Sequence, residues 1–415
     1  MPQNSFLKNV ITLLSGTVLA QAIPILISPI LTRIYSPDEI GVYVIFFSTV
    51  NILTIITSGR LEQAILISKY KKDSYTTLKL AILFSFAVCF IAYITLLLFK
   101  NSIIDFLGLQ SINNAIFLLP ITSLFLSMFQ IYNYWLNRND KYLTISKGKI
   151  VQSTTTAFIH ITVSLLNSLG LVLGRVFGVI ISTIFLFLSS KKISPKLFPI
   201  EINNINDALQ QHKKFPLYSM PNSLLNSVSN NLPLYMLESF YSSKVTGYYS
   251  WSVRIIQAPM GMLTSSIQQV FFRKSSELHN KGENLYKLTI IMYKRLFLIG
   301  IVPYLILFFL APDIFSFIFG KEWKIAGEFT TYLVPWFFIA FLNSPITSIL
   351  LILGKQRLHL FYEIILLIFR GLSLFLGYYY FNQAKYSVIM YGFVGLLFNI
   401  ILFFILIKLS KRTNK

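Results

Sequence analysis

The sequence predicts an all-α integral membrane protein of about twelve transmembrane helices in two six-helix lobes related by pseudo-two-fold symmetry along the membrane normal, with both termini cytoplasmic. Three observations carry that expectation. The 415 residues are 55% hydrophobic and only 12% charged, against about 25% charge in an ordinary soluble domain. The apolar residues gather into runs near the roughly 20-residue length that crosses about 30 Å of hydrocarbon. The chain also repeats itself. Tyr35, Ser36, Gly41 and Tyr43 recur as Tyr241, Ser242, Gly247 and Tyr249 at a constant offset of 206 residues, about half the chain. Leu61-Glu-Gln-Ala-Ile65 falls on Ile267-Gln-Gln-Val-Phe271 at the same offset; Lys79-Leu80 and Asp105 fall on Lys287-Leu288 and Asp313 after a slip of two. An internal repeat at this period is the mark of a duplicated bundle.

The expected spans are 8–31, 41–67, 77–99, 113–136, 143–166, 169–189, 216–238, 247–271, 290–311, 328–353, 359–381 and 386–408. The first run exceeds the 7–15 residues of a signal-peptide core. It has a partner in the second half, so it is expected to stay as an uncleaved anchor although Val18-Leu-Ala20 resembles a cleavage site. The second begins within the repeated tyrosine motif, and the third has Lys79 in its first turn and Lys100 just past its end. The fourth ends in Tyr132, Tyr134 and Trp135, and the eighth begins at Tyr248, Tyr249 and Trp251, as aromatic belts do at a membrane interface. Only Asn167-Ser-Leu-Gly170 separates the fifth from the sixth. Prolines bend the first (Pro24, Pro29), seventh (Pro221, Pro233), eighth (Pro259) and tenth (Pro335, Pro345), since each frees a backbone carbonyl. The polar stretch before the seventh is the longest loop. It divides the chain into a lobe at 1–190, a cytoplasmic linker at 191–214 and a lobe at 215–415.

Charge placement sets the orientation. With the N-terminus cytoplasmic, 26 of the 36 Lys and Arg fall in cytoplasmic segments, Lys147 and Lys149 among them, and 6 in outer loops. That asymmetry is the positive-inside pattern. The formal charge of +21 then faces anionic lipid headgroups, and no soluble basic domain exists to carry nucleic-acid binding. The lone Cys89 reads as a packed thiol.

Enzyme motifs are absent. There is no Gly-x-x-x-x-Gly-Lys-Ser/Thr loop and no His-Glu-x-x-His, and the four histidines are far apart. No cofactor and no metal is implied.

The remaining four basic residues, Arg60, Arg175, Arg254 and Arg370, lie inside expected spans. Placing Arg at mid-membrane costs about 2.5–3.5 kcal/mol on insertion scales, so such residues face a protein interior or a wet path. These four are the candidate substrate-binding residues. Arg370 is half-way through its span; Glu363 lies two turns earlier, about 10.5 Å away. Arg60 and Glu62 are two residues apart, which turns a helix by about 200° and aims them differently. Glu62 and Glu363 are the candidate ion-coupling carboxylates.

Several segments resemble the polysaccharide exporters of the MOP superfamily, most nearly the Wzx-type O-antigen flippases. These are Leu31-Thr-Arg-Ile-Tyr-Ser-Pro-Asp-Glu-Ile-Gly-Val-Tyr43, Gly59-Arg-Leu-Glu-Gln-Ala-Ile65, Tyr134-Trp-Leu-Asn-Arg-Asn139, Phe215-Pro-Leu-Tyr-Ser-Met-Pro221, Gln269-Val-Phe-Phe272 and Phe319-Gly-Lys-Glu-Trp323. The resemblance implies a flippase of the bacterial inner membrane that moves undecaprenyl-diphosphate-linked oligosaccharide to the periplasmic leaflet through a cationic cavity between its lobes. It implies functional positions at Arg60 and Glu62. It also implies, as partners, the lipid-linked glycan, membrane lipids, a polysaccharide polymerase and a chain-length regulator. An ion-coupled multidrug or cation extruder of the same fold is the alternative; it calls for mid-membrane carboxylates, where this chain places more Arg. A membrane glycosyltransferase or polymerase needs a large outer loop, and a passive scaffold leaves the intramembrane Arg residues unexplained.

Overall fold

The computed structural model describes residues 16–68, 70–191 and 202–411. The beginning of the first expected span, Lys8, Lys69, Lys192, Lys196, Glu201, Arg412, Lys415 and the side of the membrane taken by either terminus lie outside the described residues.

All regular elements among the described residues are helical. They are α1 (Gly16–Ile34), α2 (Pro37–Ser58), α3 (Leu61–Ile67), α4 (Lys71–Leu107), α5 (Leu118–Arg138), α6 (Tyr142–Thr162), α7 (Ser168–Ser190), α8 (Ile202–His212), α9 (Met220–Phe240), α10 (Ser243–Asn280), α11 (Tyr286–Phe319), α12 (Lys324–Asn343), α13 (Ser348–Ile352), α14 (Gln356–Phe381) and α15 (Ala384–Ser410). Nine stretches among the described residues are long and apolar enough to cross a membrane, and the chain is a multi-pass membrane protein. Three of the twelve expected spans fall outside those nine: α6, α9 and α10. All three are helices, of 21, 21 and 38 residues, but more polar than the rest. The cause is legible in α6, where Ser146, Lys149, Gln152, Ser153 and Thr156 interrupt the apolar run, and in α9, where Asn and Ser alternate with Leu.

Internal contacts divide the chain into two units, Met1–Tyr235 and Met236–Lys415, parted within α9. Each unit repeats the other's packing scheme. In the first, α2, α4 and α7 gather on α5, and α6 pairs with α7; in the second, α10, α11 and α15 gather on α12, and α14 pairs with α15. The repeated residues do the same work in both. Ser36 caps α2 and accepts from the Glu39 amide at 3.3 Å, while Ser242 caps α10 and accepts from Val245, so each hydroxyl satisfies a helix-end N–H. The Tyr35 hydroxyl donates to the His160 carbonyl at 2.6 Å, in the α6–α7 pair. The Tyr241 hydroxyl lies 2.7 Å from Ser387 Oγ, in the α14–α15 pair. Each tyrosine thus ties the loop before its helix to the hairpin that closes its own half.

Small side chains bring the α6–α7 pair together. Gly170, Gly174 and Gly178 recur every four residues on α7, and a Cβ on Gly174 would strike the His160 ring, the close approach that small residues allow between membrane helices. Hydroxyl pairs bridge other helices, Ser85 with Ser127 at 2.7 Å between α4 and α5. In the second unit Asn343 accepts from the Tyr293 hydroxyl at 3.0 Å and donates to the Asn399 carbonyl at 2.8 Å, so this buried amide is paired as a low-dielectric interior requires.

The expected second span is interrupted. Gly59 and Arg60 both adopt left-handed backbone, φ +56° and +59°, and separate α2 from the seven-residue α3. A Cβ on Gly59 would also lie 2.6 Å from the Phe84 ring, so this position holds glycine for space as well as for φ. An arginine in the left-handed region is strained and is held by its side chain.

Candidate functional site

The break between α2 and α3 opens onto a pocket of about 410 Å³ in the first unit, lined by Arg60, Gln130, Asn133, Tyr134, Asn137 and Lys149 with Leu126, Phe129 and Ile145 behind them. Its polar wall comes from two helices. Gln130, Asn133 and Asn137 recur at three- and four-residue spacing on α5, hence on one face, and Lys149 stands on α6.

Arg60 is 25% exposed and makes two side-chain contacts, Nε donating to Ser223 Oγ at 2.9 Å and Nη1 at 3.5 Å from Glu62 Oε1. The argument that two residues must aim 200° apart assumes one continuous helix. The left-handed turn at Arg60 removes that premise, and arginine and glutamate meet. Glu62 is fully buried, and its Oε2 has no hydrogen-bond partner among the described residues. The Lys149 ammonium donates to Thr17 Oγ1 at 3.1 Å. The pocket wall therefore presents two cations among amides, with the buried Asn133 Oδ1 lacking a hydrogen-bond partner among the described residues; the enclosed Glu62 carboxylate is not on that wall but pairs with Arg60. The Arg60 Nη2 is bonded to none of the described residues. An anion that accepts from Arg60 and Lys149 satisfies the charge, since guanidinium and ammonium groups together suit a phosphate.

Arg138 supports the site from below. Its Nη1 donates to the carbonyls of Ile65 and Leu66 at 2.9 Å each, and its Nη2 to that of Ser68 at 2.6 Å. These are the open carbonyls at the C-terminal end of α3. A cation there also faces the negative end of the helix dipole. The short helix carrying Glu62 is thereby fastened to the end of α5.

The other candidate arginines lie against aromatic rings. The Arg175 guanidinium lies 4.2 Å from the centre of the Phe47 ring, Arg254 4.9 Å from Trp251, and Arg370 4.7 Å from Trp336 and 5.7 Å from Tyr391. Each is held against an aromatic face, and the buried Nε of both Arg175 and Arg370 has no hydrogen-bond partner among the described residues. Glu363 is exposed and lies 3.5 Å from His359 Nε2 one turn away; it does not meet Arg370. The first unit thus brings Arg60 and Glu62 together and adds Lys149, which charge counting assigns to a loop. The signal for Lys149 was present as a polar stripe along α6, Ser146, Lys149, Ser153, Thr156 and His160 at helical spacing.

Comparison with known proteins agrees with this architecture. A family described as polysaccharide biosynthesis proteins matches residues 30–327. A teichuronic acid biosynthesis protein, TuaB, of Bacillus subtilis (strain 168) is 24% identical over 62% of the chain, which spans about half (53%) of that relative. A capsular polysaccharide biosynthesis protein, CapF, of Staphylococcus aureus is 23% identical over 76% of this chain and 78% of its own. Among solved structures, the lipid II flippase MurJ in an inward closed conformation superposes with a TM-score of 0.71 at 15% identity, over 97% of this chain and 90% of its own. An inward-facing multidrug resistance MATE family transporter of the MOP superfamily does so with 0.72 at 14% identity, over 95% and 94%. At those identities the likeness establishes the fold, which is MATE-like.

Proposed function

The chain belongs to the polysaccharide biosynthesis protein family, and on that premise we propose that it is a flippase for a lipid-linked saccharide rather than an enzyme. Its substrate in this reading is an undecaprenyl-diphosphate-linked oligosaccharide unit of a surface polysaccharide such as O-antigen. The unit passes from the cytoplasmic to the periplasmic leaflet of a bacterial inner membrane by alternating access. The observation that carries the reading is the Arg60–Lys149 pocket: two cations and a wall of amides, one of the cations also paired with the buried Glu62.

The physics matches the task. A diphosphate and its sugars lose water in hydrocarbon unless polar groups replace it. Arg60 and Lys149 supply donors for the diphosphate, and the amides of Gln130, Asn133 and Asn137 supply donors and acceptors for hydroxyls. Of the two carboxylates named from sequence, Glu62 suits ion coupling, because it is enclosed and already shares a cation that a substrate competes for. Arg175, Arg254 and Arg370 remain candidate contacts along the route. Release to a polymerase and chain-length regulator belongs to the same proposal.

The test is binding and transfer of an undecaprenyl diphosphate glycan in vesicles, with and without an imposed proton or sodium gradient. Arg60→Ala is expected to lose most of the binding and Arg60→Lys to restore part, because an ammonium cannot make two parallel hydrogen bonds. Wild-type affinity in Arg60→Ala overturns the assignment; binding of cationic dyes without diphosphate lipid favours the extruder.

A further inference from the structure

We propose that one face of α9 is a glycan track: Asn222, Asn226 and Asn230 bind the neutral sugar portion of the substrate beside the Arg60 pocket. The inference rests on the flippase reading for its lipid but on separate residues for its sugar.

The sequence of α9 is unusual for a helix in an apolar bundle. Between Asn222 and Asn231 it carries four Asn and three Ser among ten residues, and it is not among the nine apolar stretches. Two stripes run along it. Ser223, Ser227, Asn231 and Tyr235 recur every four residues. Both ends of this stripe touch α2 and the turn that follows it: Ser223 Oγ accepts from Arg60, and the Tyr235 hydroxyl is 3.0 Å from Thr49 Oγ1. As numbers rise on one helix they fall on the other, so α2 and α9 run antiparallel and this stripe faces α2.

The second stripe is Asn222, Asn226 and Asn230, one residue earlier at each step and so rotated by about 100°. All three are exposed, whereas Ser223, Ser227 and Asn231 are half-buried. Successive amides stand about 6 Å apart along the axis, and the row is about 12 Å long. Asn230 Nδ2 donates to Asn226 Oδ1 at 2.9 Å. That bond orients the pair and leaves the Asn226 amide nitrogen and the Asn230 carbonyl oxygen for a ligand.

Three exposed amides on a helix of a membrane bundle need water or a polar ligand, because hydrocarbon offers them no partners. Amides donate and accept at once, which is what sugar hydroxyls require, and they carry no charge to compete for the diphosphate. The row starts beside Ser223, the residue bonded to Arg60. A diphosphate on Arg60 therefore places its first sugars at the start of the row. A glycan is favoured over a second anionic group because the stripe holds no cation.

Two arms with the full-length protein separate the claims. In the first, a free neutral oligosaccharide is followed by saturation-transfer NMR against wild type and against Asn222→Leu/Asn226→Leu/Asn230→Leu. Contact in wild type that disappears in the triple variant is expected. Leu is the more apolar and more helix-prone residue, so membrane insertion is not impaired. No contact in wild type, or equal contact in both proteins, overturns the track. In the second arm, affinity is measured for undecaprenyl diphosphate and for the same lipid bearing the oligosaccharide. The triple variant is expected to lose on the order of tenfold for the glycan-bearing lipid and under about twofold for the bare lipid, three modest hydrogen bonds being at stake. Asn→Gln at the three positions is expected to retain part of the difference. Equal losses for both lipids overturn the track. Failure of wild type to bind either lipid, with sugar contact intact in the first arm, overturns the flippase reading and leaves the track standing.

Discussion

Arg138→Ala should unfasten α3. The guanidinium makes three charge-assisted hydrogen bonds to the end carbonyls of that helix, two of them partly buried and the one to Leu66 exposed. Such bonds contribute about 1.5–3 kcal/mol each when shielded. The exposed one counts for little, and bonds sharing one group do not simply add. Taking the two shielded bonds at the lower end gives about 3 kcal/mol. Seven residues cannot hold a helix alone, so the loss falls on local opening of α3 and not on the whole unit. At about 1.4 kcal/mol per factor of ten, the open population rises on the order of a hundredfold. Amide hydrogen exchange across residues 61–68, in detergent or nanodiscs, reads this directly. Arg138→Lys, with a single ammonium, is expected to exchange at an intermediate rate. The same variants should bind the diphosphate lipid more weakly, because Arg60 and Glu62 stand at the other end of the freed helix. Exchange within about twofold of wild type would refute the fastening of α3 by Arg138.

Two further outcomes are expected. Arg370→Ala should lower export while the protein still inserts, with a stability loss of about 1–2 kcal/mol from its contacts with Trp336 and Tyr391; wild-type export removes Arg370 from the site, and an unchanged melting temperature removes the ring contacts as a stabiliser. Burial pushes the His212 imidazole below its ordinary 6.5, against the pull of Asp73 on α4. The folded state then binds fewer protons than the unfolded one. The stability of the α8–α4 contact is complete above about pH 6.5 and falls as pH drops from there through the lowered value. Hydrogen exchange in α8 between pH 5 and 8 checks it: His212→Leu should abolish the dependence, and exchange that slows as pH falls, after correction for intrinsic rates, refutes it.

Much of the site was readable in part. The motif around Gly59, Arg60 and Glu62 is legible in the sequence, and Arg175, Arg254 and Arg370 stand out there as basic residues within expected spans. Counting charge by loop puts Lys149 with the cytoplasmic residues, because it ignores the helical stripe that carries the side chain to the pocket. The contact between Arg60 and Glu62 is not legible there, because regular helix geometry aims the two apart and the left-handed turn at Arg60 brings them together.

The membrane class, the duplication and the family resemblance followed from the order of residues alone, because hydropathy, period and repeated motifs are local or one-dimensional properties. Hydropathy cannot say which partner a buried polar group finds. That Arg138 closes α3, that Arg60 reaches both Glu62 and Ser223, and that Arg370 rests on two aromatic rings all depend on residues 2 to more than 150 positions apart along the chain meeting in space. Those meetings are decided by packing: charges and amides removed from water must find partners where the assembled helices place them, and only the three-dimensional arrangement determines which partners those are.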